Sequence, residues 1–369
     1  MSGLEGVFAR MKLKEQQNAT RDTQALIASD NGKFHVEGEA PVNFTVNDLE
    51  LADSIGVGFF TEEVVRAVYK PNGMEIAVKK IKIFSRPTGR NDGHGQDSMI
   101  REASNFGRAA HANVVRLHGF YIDKLSFTCY ICMEMMHANL DEVKRVAHNQ
   151  DIPGLSESFS KAENESFLGC VTVSIVNALS FLRNVAKVMH RDLKPNNIMV
   201  NDKGAVKLCD FGVSKKLQST LSSTRANTAG VGCLCYMAPE RFDAVDGYGS
   251  KSEVWSFGIT LFECATGRNP YEGNIDFVVS SMIKTDDAPR IEREENGYGL
   301  NLRNFVDACL FKPEDKRASL SPSDSNCLQC KKFYKQHAAL PSERRNSTVM
   351  AVLDRVTPHL PHLRKGLIV

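Results

Sequence analysis

The sequence predicts an α+β fold in two lobes, a small β-rich part followed by a larger, mostly helical one. Three observations carry this. Val64-Val65-Arg66-Ala67-Val68-Tyr69 and Glu75-Ile76-Ala77-Val78-Lys79-Lys80-Ile81 are β-branched, apolar runs on either side of the turn Pro71-Asn72-Gly73, the pattern of a hairpin. Further on, apolar residues recur at helical spacing over 140–148, 167–184 and 255–266. A short segment, 133–137, joins the two patterns.

Taken in order, residues 1–45 are polar apart from Val7-Phe8 and are expected to be a flexible arm. The pattern changes at Leu49. After the hairpin, 85–97 is Gly-rich and polar, as a surface loop would be, and 99–110 has helical spacing. Residues 114–117 and 128–132 have the composition of strands. In the second part, 214–232 is polar, aperiodic and long enough to suggest a functional loop. Beyond Leu320 come polar, helix-compatible pieces, and no internal repeat is visible.

Composition sets the broad class. The chain has 369 residues, 42% apolar and 24% charged, as in ordinary globular proteins able to bury a core. A net charge of +2 lacks the basic field that non-specific nucleic-acid binding needs, so no nucleic-acid partner is expected. No uninterrupted apolar run reaches the ~18 residues of a membrane helix, and the N-terminus has no signal-peptide core, so no membrane partner is expected either. Most of the ten cysteines sit in apolar runs and read as buried, reduced thiols in an intracellular protein, cytoplasmic with the nucleus also open. Cys327 and Cys330 form a C-x-x-C with no second pair at zinc-finger spacing, so a structural zinc is not expected.

The chemistry lies in His190-Arg191-Asp192-Leu193-Lys194-Pro195-Asn196-Asn197, followed by Asp210-Phe211-Gly212 and then Ala238-Pro239-Glu240. This combination points to phosphoryl transfer, in which the protein positions a phosphate, neutralises its charge and aims a hydroxyl. Asp192 can orient the hydroxyl and accept its proton. Lys194 can stabilise the transferring phosphate. Asn197 offers an amide oxygen, and Asp210 a carboxylate, to Mg2+, an oxygen-seeking hard cation. Lys79 ends an Ile-Ala-Val-Lys strand, where a lysine reaches the α- and β-phosphates of ATP, and Glu102 on the next helix is the anion to hold it. Ile55-Gly56-Val57-Gly58-Phe59-Phe60 opens a G-x-G-x-x-G in which Thr61 takes the third glycine's place. Two glycines still let backbone N–H groups approach phosphate.

On these residues the chain resembles the eukaryotic protein kinases from about Leu49 to His337, and more closely the MAP kinase kinases. The closer likeness rests on Ile131-Cys132-Met133-Glu134-Met135-Met136, on Val206-Lys207-Leu208-Cys209-Asp210-Phe211-Gly212-Val213-Ser214, and on Gly232-Cys233-Leu234-Cys235-Tyr236-Met237-Ala238-Pro239-Glu240-Arg241. Gly232-Cys233 and the short run Met135-Met136-His137-Ala138-Asn139-Leu140-Asp141-Glu142-Val143 are similar to the stress-activated branch. The resemblance implies a two-lobed protein-kinase domain at 46–337, with an N-lobe at 46–133, a C-lobe at 138–337 and a tail at 338–369. It implies a monomeric dual-specificity enzyme that uses ATP and Mg2+ to phosphorylate Thr and Tyr in a MAP kinase activation loop. An upstream MAP kinase kinase kinase would activate it.

The resemblance also assigns positions. Adenine would bond the backbone of Glu134 and Met136 beside the gatekeeper Met133, between Val64, Ala77 and Met199. Ile55, Gly56, Val57 and Gly58 would cover the phosphates. Glu240 would pair with Arg317, and Phe106, Leu117, His190 and Phe211 would form a hydrophobic spine. Two activating hydroxyls four apart match Thr224 and Thr228 when counted back from Gly232; counting forward from Asp210 gives Thr220 and Thr224 instead. A phosphate there could pair with Arg191.

Two departures leave a catalytically weak pseudokinase or scaffold as the alternative, beside an ordinary Ser/Thr kinase. One is the missing third glycine. The other is Glu253, where the family has Asp; an extra methylene moves the carboxylate by about an ångström, enough to attenuate turnover. For docking, Arg10-Met11-Lys12-Leu13-Lys14 is a poor match to the family's basic N-terminal motif. Val349, Val352, Leu353 and Val356 lie at helical spacing and resemble a docking helix for the upstream kinase, or form a helix packed on the large lobe.

Overall fold

A computed structural model describes residues 32–36, 38–57, 62–82, 111–123, 125–126, 128–149, 160–210, 234–242, 249–292 and 297–360. The chain forms two compact units. The first is a seven-stranded antiparallel sheet in the order β2-β1-β6-β7-β5-β4-β3. Its strands are β1 (Gly32–Phe34), β2 (Val42–Phe44), β3 (Leu49–Val57), β4 (Glu62–Tyr69), β5 (Met74–Lys82), β6 (Leu117–Asp123) and β7 (Thr128–Glu134). Because side chains alternate along a strand, register alone divides the sheet into two faces. Val65, Val78 and Cys132 are cross-strand neighbours on one face. They are buried there with Phe34, Phe44, Tyr69 and Ile76.

β1 and β2 correct the expectation of a flexible arm to residue 45: from Gly32 the chain is part of this sheet. Phe34 is fully buried and stacks on Tyr69, ring centroids 3.9 Å apart, while Phe44 meets it edge-on. Strand β1 lies close on β6 because residue 119 is glycine; a Cβ there would come within 2.2 Å of the Lys33 carbonyl oxygen. Thr45 and Asp48 then cap a helical turn reciprocally, the Thr45 N–H donating to Asp48 Oδ2 at 2.7 Å. The alternation Phe34/Val36 and Val42/Phe44 is too short to stand out from its polar surroundings. The strand expected at 114–117 also shifts: Val114 makes only a single bridge to Leu208, and β6 begins at Leu117.

The second unit contains a three-stranded sheet, β10-β9-β8, made of β8 (Ala138–Asn139), β9 (Ile198–Val200) and β10 (Val206–Leu208). Its described helices are α1 (Leu140–Ala147), α2 (Lys161–Phe181), α3 (Lys251–Thr266), α4 (Asp276–Thr285), α5 (Leu300–Cys309), α6 (Lys332–Ala338) and α7 (Ser342–Val356). Ser160 starts α2 with a capping box, its Oγ accepting the Glu163 N–H at 3.2 Å. With the π turn that follows, α2 is the one described helix apolar and long enough to cross a membrane, but 67% of its apolar 18-residue window is buried in the protein. An apolar circumference is what a core helix requires. Helix α3 is likewise buried all round and stops at Gly267, which takes the left-handed conformation (φ 82°) favoured at helix ends.

Helix α7 settles which of its two readings the fold supports. Val349, Val352, Leu353 and Val356 are all buried in the core of the second unit, and Arg355 pairs with Glu163 of α2 at 2.8 Å. The apolar face expected to dock an upstream kinase is therefore already covered, and the compact fold runs through Leu360 rather than ending at 337. Periodicity shows which face is apolar but not what covers it. Leu353→Ala should lower stability by about 2–5 kcal/mol, and a chain ending at His337 should lose its cooperative transition. Urea unfolding followed by the fluorescence of Trp255, the sole and fully buried tryptophan, measures both.

Candidate active site

In the first unit, strand register gathers the residues expected around a nucleotide on one face. Val64 of β4 lies opposite both Gly56 and Lys79, and Lys79 lies opposite Ile131. Two residues along, Ala77 lies opposite Met133, which in turn faces Leu117. This face is opposite the Val65–Val78–Cys132 cluster. Lys79 is 5% exposed, a degree of burial a lysine tolerates only with polar partners. Ile55 is half-buried at a register shift between Ser54 and Gly56, and a second shift lies between Leu51 and Ser54. The irregularity of the glycine segment thus extends into β3 as register shifts on the N-terminal side of Gly56. Val57 pairs with Glu63. At the end of β7, the Glu134 N–H donates to the Arg116 carbonyl at 3.0 Å and its Oε1 accepts the Arg116 N–H at 2.6 Å.

In the second unit, no acceptor meets the Met136 N–H among the described residues. The next amide, His137 N–H, donates to Val200 O at 2.8 Å. Met199, half-buried in the middle strand β9, lies between Lys207 and Asn139.

The 190–197 loop is tied to the strand before Asp210 at two points. Fully buried His190 bonds the Cys209 carbonyl through Nε2 at 2.6 Å, and its Nδ1 accepts the Asp192 N–H at 3.3 Å. A backbone N–H can only donate, so the ring proton sits on Nε2 and the imidazole is neutral. From the other side, the Cys209 N–H donates to Asn197 O at 2.9 Å. Asp210 follows directly, in the left-handed region (φ 58°), as is Arg191 (φ 69°). Such backbone costs roughly 1–3 kcal/mol per residue and persists where its surroundings enforce it. Asn197 is buried, and its Nδ2 donates to Asp192 O at 2.6 Å and to Asp192 Oδ2 at 3.2 Å. Both partners are acceptors, so the amide orientation is determined and Oδ1 faces away from Asp192. Lys194 Nζ lies 3.2 Å from Asp192 Oδ2.

Helix α3 supports this loop from below. Glu253 is 4% exposed, and its Oε1 accepts the N–H groups of both His190 and Arg191, the latter at 3.1 Å. Burial pushes its carboxyl up to about 6, against the lowering effect of those two N–H groups and of the Arg191 and Arg241 charges. Nearby, Glu240 and Arg317 form a bidentate pair at 2.7 and 2.9 Å. Ser252 Oγ also donates to Glu240 at 2.7 Å. Burial alone would raise the Glu240 carboxyl, but the Arg317 and Ser252 hydrogen bonds bring it below its ordinary value.

Residues 49–331 match the protein kinase domain family. The chain is 34% identical over 279 residues to "MAP kinase kinase mkk-4" of Caenorhabditis elegans, covering 74% of this chain and 71% of that protein. The chain belongs to the MAP kinase kinases. Another relative is "Dual specificity mitogen-activated protein kinase kinase sek-1" of the same organism, 30% identical over 75% of this chain and 76% of that one. A third is "Dual specificity mitogen-activated protein kinase kinase 7" of Homo sapiens, 32% identical over 74% of this chain and 60% of that one. This MAP kinase kinase is therefore a protein kinase of two-lobed fold, with a β-rich first lobe and a helical second one.

Within this MAP kinase kinase, Asp192, Lys194, Asn197 and Asp210 are brought together on one hydrogen-bonded frame, and Glu240 meets Arg317 as expected. Gly58, Glu102, Phe106, Phe211, Thr224, Thr228 and the Arg10–Lys14 motif lie outside the described residues. The displacement expected from the extra methylene of Glu253 is not seen: its carboxylate reaches both loop N–H groups. Sequence reasoning missed the two roles of His190, which it placed only in a spine.

Glu253 carries a testable pH dependence. Its folded value, about 6, is above its ordinary 4.5, so the folded state holds the proton more tightly. That contribution to stability is fully present below 4.5 and is lost as pH rises through 6, by about 2 kcal/mol at ~1.36 kcal/mol per unit. The stability of wild type relative to Glu253→Gln should fall over this window and level off above it, as read by urea unfolding at each pH. Glu253→Ala, which strands both N–H groups, should also cut turnover at least tenfold, on the order expected when a catalytic loop shifts.

Proposed function

We propose that this MAP kinase kinase transfers the γ-phosphate of ATP, with Mg2+, to Thr and Tyr in the activation loop of a stress-activated-type MAP kinase. We further propose that an upstream MAP kinase kinase kinase switches it on at Thr224 and Thr228, and that it acts as a cytoplasmic monomer. The carrying observation is the Asn197 amide, whose Nδ2 is held by Asp192 so that its oxygen is turned outward. Asn197 Oδ1 and the Asp210 carboxylate are hard oxygen donors of the kind Mg2+ takes, and they would hold it. The metal, when bound, neutralises charge on the β- and γ-phosphates.

The chain's own residues supply the rest. Asp192, fixed through its backbone oxygen and Oδ2, orients the attacking hydroxyl and accepts its proton. Lys194, partly exposed and paired with Asp192, stands ready to balance charge on the transferring group. Lys79 holds the α- and β-phosphates, with Val64, Ala77 and Met133 on the same face of the sheet beside the base. The Gly232-Cys233 likeness favours the stress-activated branch. The scaffold reading drew on Thr61 and Glu253, and Glu253 no longer supports it, because its hydrogen bonds are made.

Asp192→Asn should lower phosphorylation of a MAP kinase by about 10²–10⁴-fold, the usual contribution of a positioned base, with the Trp255 unfolding transition unchanged. Undiminished turnover would refute the mechanism. For the switch, Thr224→Ala with Thr228→Ala should abolish activation by an upstream kinase. Phosphopeptide mapping decides the register; full activation through Thr220 would overturn the assignment of Thr228.

A further inference from the structure

Cys327-Leu328-Gln329-Cys330 has no part in phosphoryl transfer. Cys327 precedes a single 3-10 turn, Leu328–Cys330, and the Cys330 N–H closes onto the Cys327 carbonyl at 3.1 Å. The two sulfurs are 2.7 Å apart, with the Cys327 S–H donating to Cys330 Sγ, against ~2.0 Å for a covalent S–S bond. The surrounding backbone holds this turn. Ser319 and Cys327 form a parallel bridge, the Leu328 N–H donates to Ser319 O at 2.9 Å, and the Ser319 N–H donates to Asn326 O at 3.1 Å. Leu328 itself is fully buried in the core. The sulfurs therefore meet because the fold keeps them together.

Their access to solvent differs sharply. Cys327 is 1% exposed, whereas Cys330 is the exposed one among the described cysteines. Burial, reinforced by the hydrogen bond to Cys330, pushes the Cys327 thiol up, so Cys327 keeps its proton.

We propose that Cys327 and Cys330 form a reversible intramolecular disulfide when a peroxide reaches Cys330. The Cys330 thiolate attacks one peroxide oxygen, the O–O bond breaks, and hydroxide leaves to become water, giving a sulfenic acid on Cys330. Cys327 then loses its proton and its sulfur attacks the Cys330 sulfur. The S–S bond forms, the S–O bond breaks, and the second water departs. Two thiols are oxidised by two electrons and one peroxide is reduced to two waters. A dithiol reductant reverses the bond by exchange. Cys327, buried and in contact, is the resolving thiol that intercepts the sulfenic acid before further oxidation.

The test uses the full chain treated with hydrogen peroxide while folded, then denatured, alkylated, digested and read by mass spectrometry. The wild-type peptide carrying both cysteines should lose two hydrogens, resist alkylation, and regain both thiols with dithiothreitol. In Cys327→Ser, Cys330 should pass on to sulfinic acid; in Cys330→Ser, Cys327 should remain alkylatable at the same dose. Three wild-type results would overturn the proposal: sulfinic acid on Cys330 with Cys327 still free, a disulfide to a cysteine outside the pair, or two unmodified thiols at a dose that oxidises Cys330 in Cys327→Ser.

Discussion

The arrangement of this site depends on a carboxylate buried beneath a loop. Glu253 sits on α3, a helix buried all round, and reaches the backbone N–H groups of His190 and Arg191. Those residues lie where the chain departs from ordinary geometry, since Arg191 is left-handed, as is Asp210. Left to local preference, each would relax. The carboxylate holds one end of the loop, and His190, bonded to Cys209 O, passes that constraint to the residue before Asp210. Cys209 is gripped again through its N–H by Asn197, whose side chain holds Asp192. Asp192, Asn197 and Asp210 are thus positioned by one closed set of hydrogen bonds resting on a rigid helix.

The same helix carries further polar anchors. Every donor of the fully buried Arg317 is used: Nε bonds Phe311 O, Nη1 bonds Glu240 and Lys251 O, and Nη2 bonds Glu240 and Lys312 O. Its guanidinium lies 5.2 Å from the Trp255 ring of α3. Toward the other end, Glu263 receives Lys144, Tyr236 and Asn269. Buried ion pairs of this kind add little net stability over apolar packing, but losing one partner costs about 3–5 kcal/mol because a bare charge is left behind. Their effect is to hold the segments on either side of α3 in one arrangement, which suits a helix that serves as the reference for the loop above it.

Much of this was legible in the sequence, for physical reasons that differ between parts. The 190–197 and 210–212 motifs could be read because phosphoryl transfer requires particular groups at short range along the chain. The residues that share the Lys79 face of the first unit could be read because a hairpin's two-residue period, once found at Val64 and Lys79, fixes which side chains lie together. Tertiary choices were not legible. Phe34 and Phe44 form short strands whose burial depends on Tyr69 and on the glycine at 119. The face of α7 was correctly read as apolar, yet only the fold shows that the second unit's core covers it. The orientation of the Asn197 amide depends on two acceptors of Asp192, and nothing in the run of residues reveals it.

Glu253 shows how a departure from family pattern can be absorbed. Both N–H groups converge on the same oxygen, Oε1, so the brace requires one well-placed atom rather than a particular side-chain length. Burial holds this carboxyl up at about 6, and the Arg191 and His190 N–H groups, followed by the Arg191 and Arg241 charges, pull it back toward its ionised form. A phosphate paired with Arg191 would draw on the same positive charge and weaken that support, pushing Glu253 further up. Protonation leaves an oxygen still able to accept the two N–H groups, so the loop keeps its shape while the charge beneath it changes. In this chain the conformation of the site and the charge beneath it are therefore separable, and the glutamate is the residue that separates them.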